Sequence, residues 1–251
     1  MMDNNKSIYG LVGYPLGHSF SRSFFTNQFK SLSVNAEYLN FEIPEIDIFP
    51  NVLKHNNLCG LNITIPYKQA VIPFLDRLDK EAERIGAVNV VKIKKVNGMI
   101  STTGYNSDIY GFKMSILPIL KPHHSQALIL GTGGASKAVA CALEDLRISY
   151  QFVSRKKTND NLSYDDLNEG IIKSHTLIIN TTPLGMSPNI DNCPNIPYGA
   201  ITQKHLCYDL IYNPKTTKFL KQAFDNGATI MNGAEMLRLQ ALKSWEIWNS
   251  K

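Results

Sequence analysis

No stretch of this 251-residue sequence comes near the ~20 consecutive apolar residues that a bilayer-spanning helix needs; the longest apolar runs, such as residues 127–130, are far shorter. The opening Met1-Met2-Asp3-Asn4-Asn5-Lys6 has no apolar signal-peptide core, which predicts a chain that stays in a cytoplasmic compartment without a membrane partner. Cysteine is scarce: Cys59, Cys141, Cys193 and Cys207 are scattered with no C-x-x-C pair, so neither a disulfide framework nor a zinc cluster is suggested and all four read as small buried hydrophobes. Also absent is a basic stripe interleaved with aromatics. The 26 basic residues exceed the 21 acidic ones by only five and are spread thinly, so no nucleic-acid partner is expected. Glycine (16) and proline (12) sit near ordinary usage beside 43% hydrophobic and 19% charged residues, which excludes collagen-like, low-complexity and disordered chains. At the usual ~150 residues per domain, the length falls between one large domain and two small ones.

What is present is alternation. Apolar runs of strand length at residues 8–13, 37–41 and 60–65 alternate with helical periodicity, the mark of an α/β fold. Phe25, Phe29 and Leu32 recur at helical spacing after a candidate cap at Ser21, and residues 88–93 and 99–103 flank an Asn97-Gly98 hairpin turn, so the N-terminal part reads as a mixed sheet. Strand candidates at 127–130, 150–153, 176–179, 206–210 and 229–231 then follow at helix-length intervals, the pattern of a doubly wound parallel sheet. A final helix over 234–248 aligns Leu237, Ala241, Trp245 and Trp248, and is expected to return to the first domain. The predicted division is therefore 1–104 with 234–251, and 105–233. No internal repeat or linker separates them.

The strand at 127–130 runs straight into Gly131-Thr132-Gly133-Gly134-Ala135-Ser136-Lys137, and residues 139–146 are helical in pattern. Strand, glycine turn and helix form the setting in which a backbone approaches a pyrophosphate and helix N–H groups receive it. A structural turn without a ligand is the plainer reading of the same residues. After the next strand comes Val153-Ser154-Arg155-Lys156-Lys157, where an NAD site usually has Asp or Glu for the ribose 2′-hydroxyl. A guanidinium at that place suits a 2′-phosphate, pointing to NADP, and a solvated basic loop is the alternative.

In the first domain, the alternation of Asn62, Ile63, Thr64 and Ile65 predicts that Ile63 and Ile65 face one way and Asn62 and Thr64 the other, with Lys68 just beyond. Ketone reduction needs a proton for the developing alkoxide, which a lysine ammonium beside a carboxylate such as Asp108 is able to supply; taken alone, Lys68 reads as a surface residue. Ser19 and Ser21 bring two hydroxyls to a helix start, where they suit a carboxylate, although N-capping by Ser21 is equally natural and His18 reads as a loop residue.

These pieces in order, Gly17-His18-Ser19-x-Ser21, Asn62-x-Thr64-x-Pro66-x-Lys68, Gly86-Ala87-Val88-Asn89, Asn106-x-Asp108, Gly131-x-Gly133-Gly134-Ala135 and Asn180-Thr181-Thr182-Pro183-x-Gly185-Met186, resemble the shikimate dehydrogenase family. The likeness continues through Tyr208-Asp209-Leu210-Ile211-Tyr212-Asn213-Pro214 and Asn232-Gly233-x-x-Met236-Leu237-x-x-Gln240-Ala241, so it covers nearly the whole chain. Two departures stand out: the family commonly has Asn-Arg-Thr where this chain has Ser154-Arg155-Lys156, and proline where it has Arg22.

The resemblance implies an N-terminal mixed-sheet substrate domain and a Rossmann-type NADP domain facing each other across a cleft. The implied reaction is the reversible NADPH-linked reduction of 3-dehydroshikimate to shikimate on the way to chorismate and the aromatic amino acids, without a metal. It further implies Lys68 as acid–base catalyst with Asp108 beside it. Ser19 and Ser21 would hold the substrate carboxylate, Thr64, Asn89, Asp108 and Gln240 the ring hydroxyls, and Tyr212 would touch substrate. Gly131, Thr132, Gly133, Gly134 and Ala135 would receive the pyrophosphate, Ser154 and Arg155 the adenosine end, and Ile211 and Gly233 the nicotinamide region. A monomer or homodimer is expected. The competing expectations are an NAD-linked quinate/shikimate dehydrogenase paralogue and a dinucleotide-responsive binding protein without turnover.

Overall fold

The computed structural model describes residues 6–17, 20–96 and 98–250. The chain divides into two compact units, residues 1–107 joined by 241–251, and residues 108–240.

In the first unit, β1 (Ser7–Gly13) leads through α1 (Phe20–Ser31) to β2 (Ala36–Glu42), α2 (Phe49–Leu53) and β3 (Leu58–Ile63). Then come β4 (Arg77–Leu78), α3 (Lys80–Ile85), β5 (Val90–Val96) and β6 (Met99–Tyr105). The sheet order is β2-β1-β3-β5-β6-β4. β1 is parallel to both β2 and β3, whereas β5 is antiparallel to β3 and β6, so the sheet is mixed as expected. Because side chains alternate along a strand, β1 serves two cores. Ile8 and Val12 join Leu61, Ile63 and Val91 on one face, and Tyr9 and Leu11 join Phe25, Phe29 and Trp248 on the other.

Two expectations change here. The strand predicted at 60–65 ends at Ile63, so Ile65 does not share the buried face of Ile63: Ile63 is 2% exposed and Ile65 68%. The turn carrying Pro66 breaks the period. Ser21 is not the cap of α1, which already begins at Phe20. Of the hairpin turn, Asn97 lies outside the described residues, as do His18 and Ser19; Gly98 has φ +79°, a left-handed backbone that glycine adopts without penalty.

The second unit runs α4 (Asp108–Ile116), β7 (Gln126–Leu130), α5 (Gly134–Asp145), β8 (Ser149–Ser154), β9 (Asn161–Ser163), α6 (Glu169–Ser174), β10 (Leu177–Asn180), β11 (Leu206–Asp209), α7 (Lys218–Asp225), β12 (Thr229–Met231) and the start of α8 (Ala234–Asn249). Its sheet, β12-β11-β10-β7-β8-β9, is parallel throughout. The chain moves outward from β7 to β9, then crosses back to β10 on the other side of β7. That reversal creates a switch point at the carboxyl ends of β7 and β10, where open α/β sheets bind ligands. One face packs Leu128, Leu130, Ile178 and Cys207 against Phe219, Leu220 and Ala223. On the other, Tyr208 meets Phe112 of α4 with ring centroids 5.1 Å apart, and its hydroxyl bonds the Ser115 hydroxyl at 2.7 Å.

α8 crosses the division, since Gln240 closes the second unit and Ala241 opens the return to the first. Of the cysteines, Cys141 and Cys207 are buried and Cys59 and Cys193 only half-buried. Among the described residues no helix is long and apolar enough to cross a membrane.

Candidate active site

Within the first unit, the candidate polar residues sit on a buried hydrogen-bond chain. The Tyr38 hydroxyl donates to Asn62 Oδ1 at 2.8 Å, and Asn62 Nδ2 donates to Ser244 Oγ at 2.9 Å and to the Asn89 carbonyl at 3.2 Å. Asn89 in turn clasps Ser107: its Oδ1 accepts from the Ser107 N–H at 2.7 Å and its Nδ2 donates to Ser107 Oγ at 3.0 Å. Tyr38, Asn62, Asn89, Ser107 and Ser244 are all buried, so each lost partner would leave a desolvated polar group. Ser21 is half-buried and hydrogen-bonds Tyr38, whose hydroxyl burial pushes to a much higher pKa. Asn62 thus faces inward as a brace and does not line an open face. Thr64 lies half-buried just past β3, its methyl filling the space that a side chain at Gly13 would occupy. Lys68 sits in the following turn, half-buried, with its carbonyl accepting the Val88 N–H at 2.7 Å.

The second unit starts at Asp108, a buried residue (6% exposed) opening α4, so Lys68 and Asp108 belong to different units. Gln240 is also buried, and Gly111 of α4 lies so close to Met236 and Gln240 that a Cβ there would come within 2.7 Å of the Met236 carbonyl. Glycine at 111 thereby brings the helix of Asp108 against that of Gln240.

At the switch point, Gly131 has φ +110° and a Cβ there would meet Thr181 Oγ1 at 2.7 Å; Thr181 itself donates to the Leu130 carbonyl at 2.7 Å. Only glycine fits. Gly133 is different: nothing lies within 4 Å of where its Cβ would be, and as N-cap of α5 it puts no side chain on the first-turn N–H groups. An open approach to bare helix N–H groups fits the pyrophosphate of a dinucleotide.

Two further loops are pinned by a carboxylate. Asp209, fully buried at the end of β11, accepts from the Ile211 N–H at 3.0 Å, Asn180 Nδ2 at 3.0 Å and the Thr217 hydroxyl at 2.5 Å. Burial raises its pKa to about 6 while those three donors pull the other way. Asn180 Oδ1 holds the Thr182 hydroxyl at 2.6 Å, so the loop after β10 is tied through Asn180 to the Asp209 carboxylate at the end of β11. The Ile211 carbonyl accepts from the Gly233 N–H at 3.0 Å, and any side chain at Gly233 would overlap the Leu210 carbonyl. Tyr212 remains 39% exposed.

At the end of β8, Ser154 Oγ donates to the Lys156 carbonyl at 2.6 Å, closing a short turn with exposed Arg155 at its centre. Lys157 is held by Asp166 at 2.8 Å, whereas Arg155 and Lys156 have no ion pair among the described residues. Among the described residues no group of three or more His, Cys, Asp or Glu could hold a metal ion.

The structure therefore brings together Ser21 with the Asn62–Asn89 brace in one unit, and Gly131, Ile211 and Gly233 at one end of a sheet in the other. The sequence reading missed Asn62, Ser107, Ser244, Asn180, Asp209 and Thr217 as supports. For Asn180 and Asp209 the signal, beside their place in the family motifs, was a polar residue closing an apolar run, as in Ile178-Ile179-Asn180 and Cys207-Tyr208-Asp209, whereas Ser107, Thr217 and Ser244 carried none.

Fold and site together define a two-unit α/β protein with a dinucleotide-type glycine turn at the switch point of its parallel sheet. The pattern that describes the shikimate dehydrogenase substrate binding domain matches residues 11–91. The chain is 35% identical to a shikimate dehydrogenase (NADP(+)) of Methanosphaera stadtmanae, covering 100% of this chain and 94% of that one. Its structure is similar to shikimate 5-dehydrogenase of Thermus thermophilus in complex with NADP(H) and shikimate (27% identity, 97% and 93% of the two chains, TM-score 0.84). A quinate dehydrogenase of Corynebacterium glutamicum in complex with NAD is also similar (25% identity, 97% and 94%, TM-score 0.84). The chain belongs to the shikimate dehydrogenase family.

Proposed function

We propose that this protein catalyses the reversible NADPH-dependent reduction of 3-dehydroshikimate to shikimate, a step toward chorismate and the aromatic amino acids. The observation that carries the reading is the open Gly131–Gly133 turn at the switch point, followed one strand later by two cations that have no carboxylate partner among the described residues. The first unit is then the substrate-binding part and the second the dinucleotide-binding part.

Bound NADPH supplies a hydride to the ketone carbon. Lys68, as an ammonium, gives its proton to the oxygen as negative charge develops there, and in the reverse direction the neutral amine takes that proton back. Asp108 is the second catalytic residue and supplies a carboxylate to the reaction. Ser19 and Ser21 bind the ring carboxylate, Thr64, Asn89, Asp108 and Gln240 the hydroxyls, and Tyr212 contacts substrate. Gly131, Thr132, Gly133, Gly134 and Ala135 take the pyrophosphate through backbone N–H groups, Ser154 and Arg155 the adenosine end, and Ile211 and Gly233 border the nicotinamide. What supports these roles is the buried bracing of Asn89 and the Asp209 clasp on Ile211, since groups held in place bind without paying for ordering. On this reading the protein works in the cytoplasm as a monomer or homodimer.

Steady-state rates with shikimate and quinate, each with NADP and NAD, test the assignment. Shikimate with NADP should be the fastest pair. Quinate with NAD outrunning it would replace the assignment by the quinate alternative, and no turnover with any pair would leave a binding protein.

A further inference from the structure

Between β8 and β9, residues 155–160 are all exposed, yet Asn161, which opens β9, is only 9% exposed. Its amide looks back into the turn. Nδ2 donates to Ser154 Oγ at 2.7 Å and to the Lys156 carbonyl at 2.9 Å, with the Leu162 carbonyl a third acceptor at 3.0 Å. Oδ1 accepts from the Thr158 hydroxyl, and Thr158 forms an isolated bridge with Asn161. The two atoms that close the turn, Ser154 Oγ and the Lys156 carbonyl, are thus both held by one buried amide.

The neighbouring residues sort the cations. Asp166 fixes Lys157 while accepting from the Ser163 N–H and hydroxyl, both at 2.8 Å. Among the described residues the Tyr164 hydroxyl is buried without a hydrogen-bond partner, and Arg155 lies near enough to act on it electrostatically. Of three consecutive cations, the two inside the amide-held turn have no carboxylate partner among the described residues.

We propose that Asn161 is the positioning residue for discrimination between NADP and NAD: its amide fixes the Ser154–Lys156 turn so that Arg155 and Lys156 meet the 2′-phosphate already ordered. This rests on the NADP reading above. A guanidinium or ammonium that must be ordered on binding loses part of what the charge-assisted contact gains. The pyrophosphate turn at Gly131 serves both cofactors, so loosening the 154–156 turn affects only the one carrying the extra phosphate. Asparagine is suited to the place because it donates and accepts at once without adding charge; aspartate would set a carboxylate beside Arg155.

The test measures KM for NADP and NAD, and binding of 2′,5′-ADP and 5′-AMP, in the wild type, Asn161→Ala, Asn161→Ser and Asn161→Asp. Asn161→Ala and Asn161→Ser should raise the NADP KM about tenfold, the effect of losing one or two neutral hydrogen bonds, and weaken 2′,5′-ADP in parallel. NAD KM, 5′-AMP binding and kcat at saturation should stay within about twofold, and Asn161→Asp should be the worst for NADP. If all folded variants keep the wild-type ratio of NADP to NAD, or lose both cofactors equally, Asn161 is a scaffold residue and the inference falls while the NADP reading stands. A wild type with no preference for NADP overturns that reading and takes this inference with it.

Discussion

Arg155 was legible as a cation just past the second strand of the parallel sheet, the position at which folds of this kind commonly read the ribose. What the sequence did not reveal is that Lys157, equally basic, is already committed to Asp166. Replacing Arg155 by alanine should raise the NADP KM by about tenfold to a hundredfold, the worth of one charge-assisted hydrogen-bonding pair, and leave the NAD KM within about twofold; equal losses for both would remove its role at the 2′-phosphate. Asp209 was visible only as part of a family motif, with no role attached, since burial is a property of the fold. Its pKa rises from 3.8 to about 6, so the folded state holds the proton more tightly than the unfolded chain does. Asp209 therefore adds stability below its unfolded pKa and loses it as pH climbs through about 6, a swing of about 3 kcal/mol. Urea unfolding of the wild type and Asp209→Asn across that window should show the difference between them moving against the wild type as pH rises. A pH-independent difference would contradict the buried-acid account.

At the scale of elements, strands announced themselves through apolar runs, and β1, β2, β7, β8, β10, β11 and β12 fall within a residue or two of where periodicity put them. Two-residue β4 and three-residue β9 did not, because Arg77-Leu78 and Asn161-Leu162-Ser163 hold one apolar side chain each and so make no run to detect, whereas equally short β12 carries Ile230 and Met231 side by side. The overrun of β3 into Ile65 has the same origin, since alternation in Asn62-Ile63-Thr64-Ile65 persisted for two residues after the backbone had turned. The glycine turn was the opposite case, where pattern and constraint agree. Gly131→Ala meets both a left-handed backbone and the Thr181 hydroxyl, so it should cost about 1–3 kcal/mol and raise KM for NADP and NAD alike. A variant selective against NADP alone would show that this turn does not carry the pyrophosphate.

For the molecule as a whole, the return of the C-terminal helix to the first unit was readable from its aromatic face, but not how deeply it is built in. Trp248 lies among Tyr9, Phe25 and Tyr38 with ring centroids 4.8, 5.1 and 6.5 Å away, donates to the Val91 carbonyl at 3.1 Å, and rests on Gly60, where any side chain would collide with it. Trp248→Ala should destabilise that unit by about 3–5 kcal/mol, seen as a lowered thermal midpoint; an unchanged midpoint would mean that the C-terminal segment is dispensable to the first core. The proposed site was legible as residue types in order, whereas the buried braces were not, because Asn62 with Ser244 and Asn180 with Asp209 are pairs that only the folded chain brings together. The measurement that tests the central claim most directly is shikimate oxidation by NADP, followed through the absorbance of the reduced nicotinamide, in the wild type and in Lys68→Ala. The wild type should turn over, and Lys68→Ala should lose about 10²–10⁴ in kcat with the shikimate KM within about twofold. A wild type that forms no reduced nicotinamide, or a Lys68→Ala that forms it at the wild-type rate, would contradict the account.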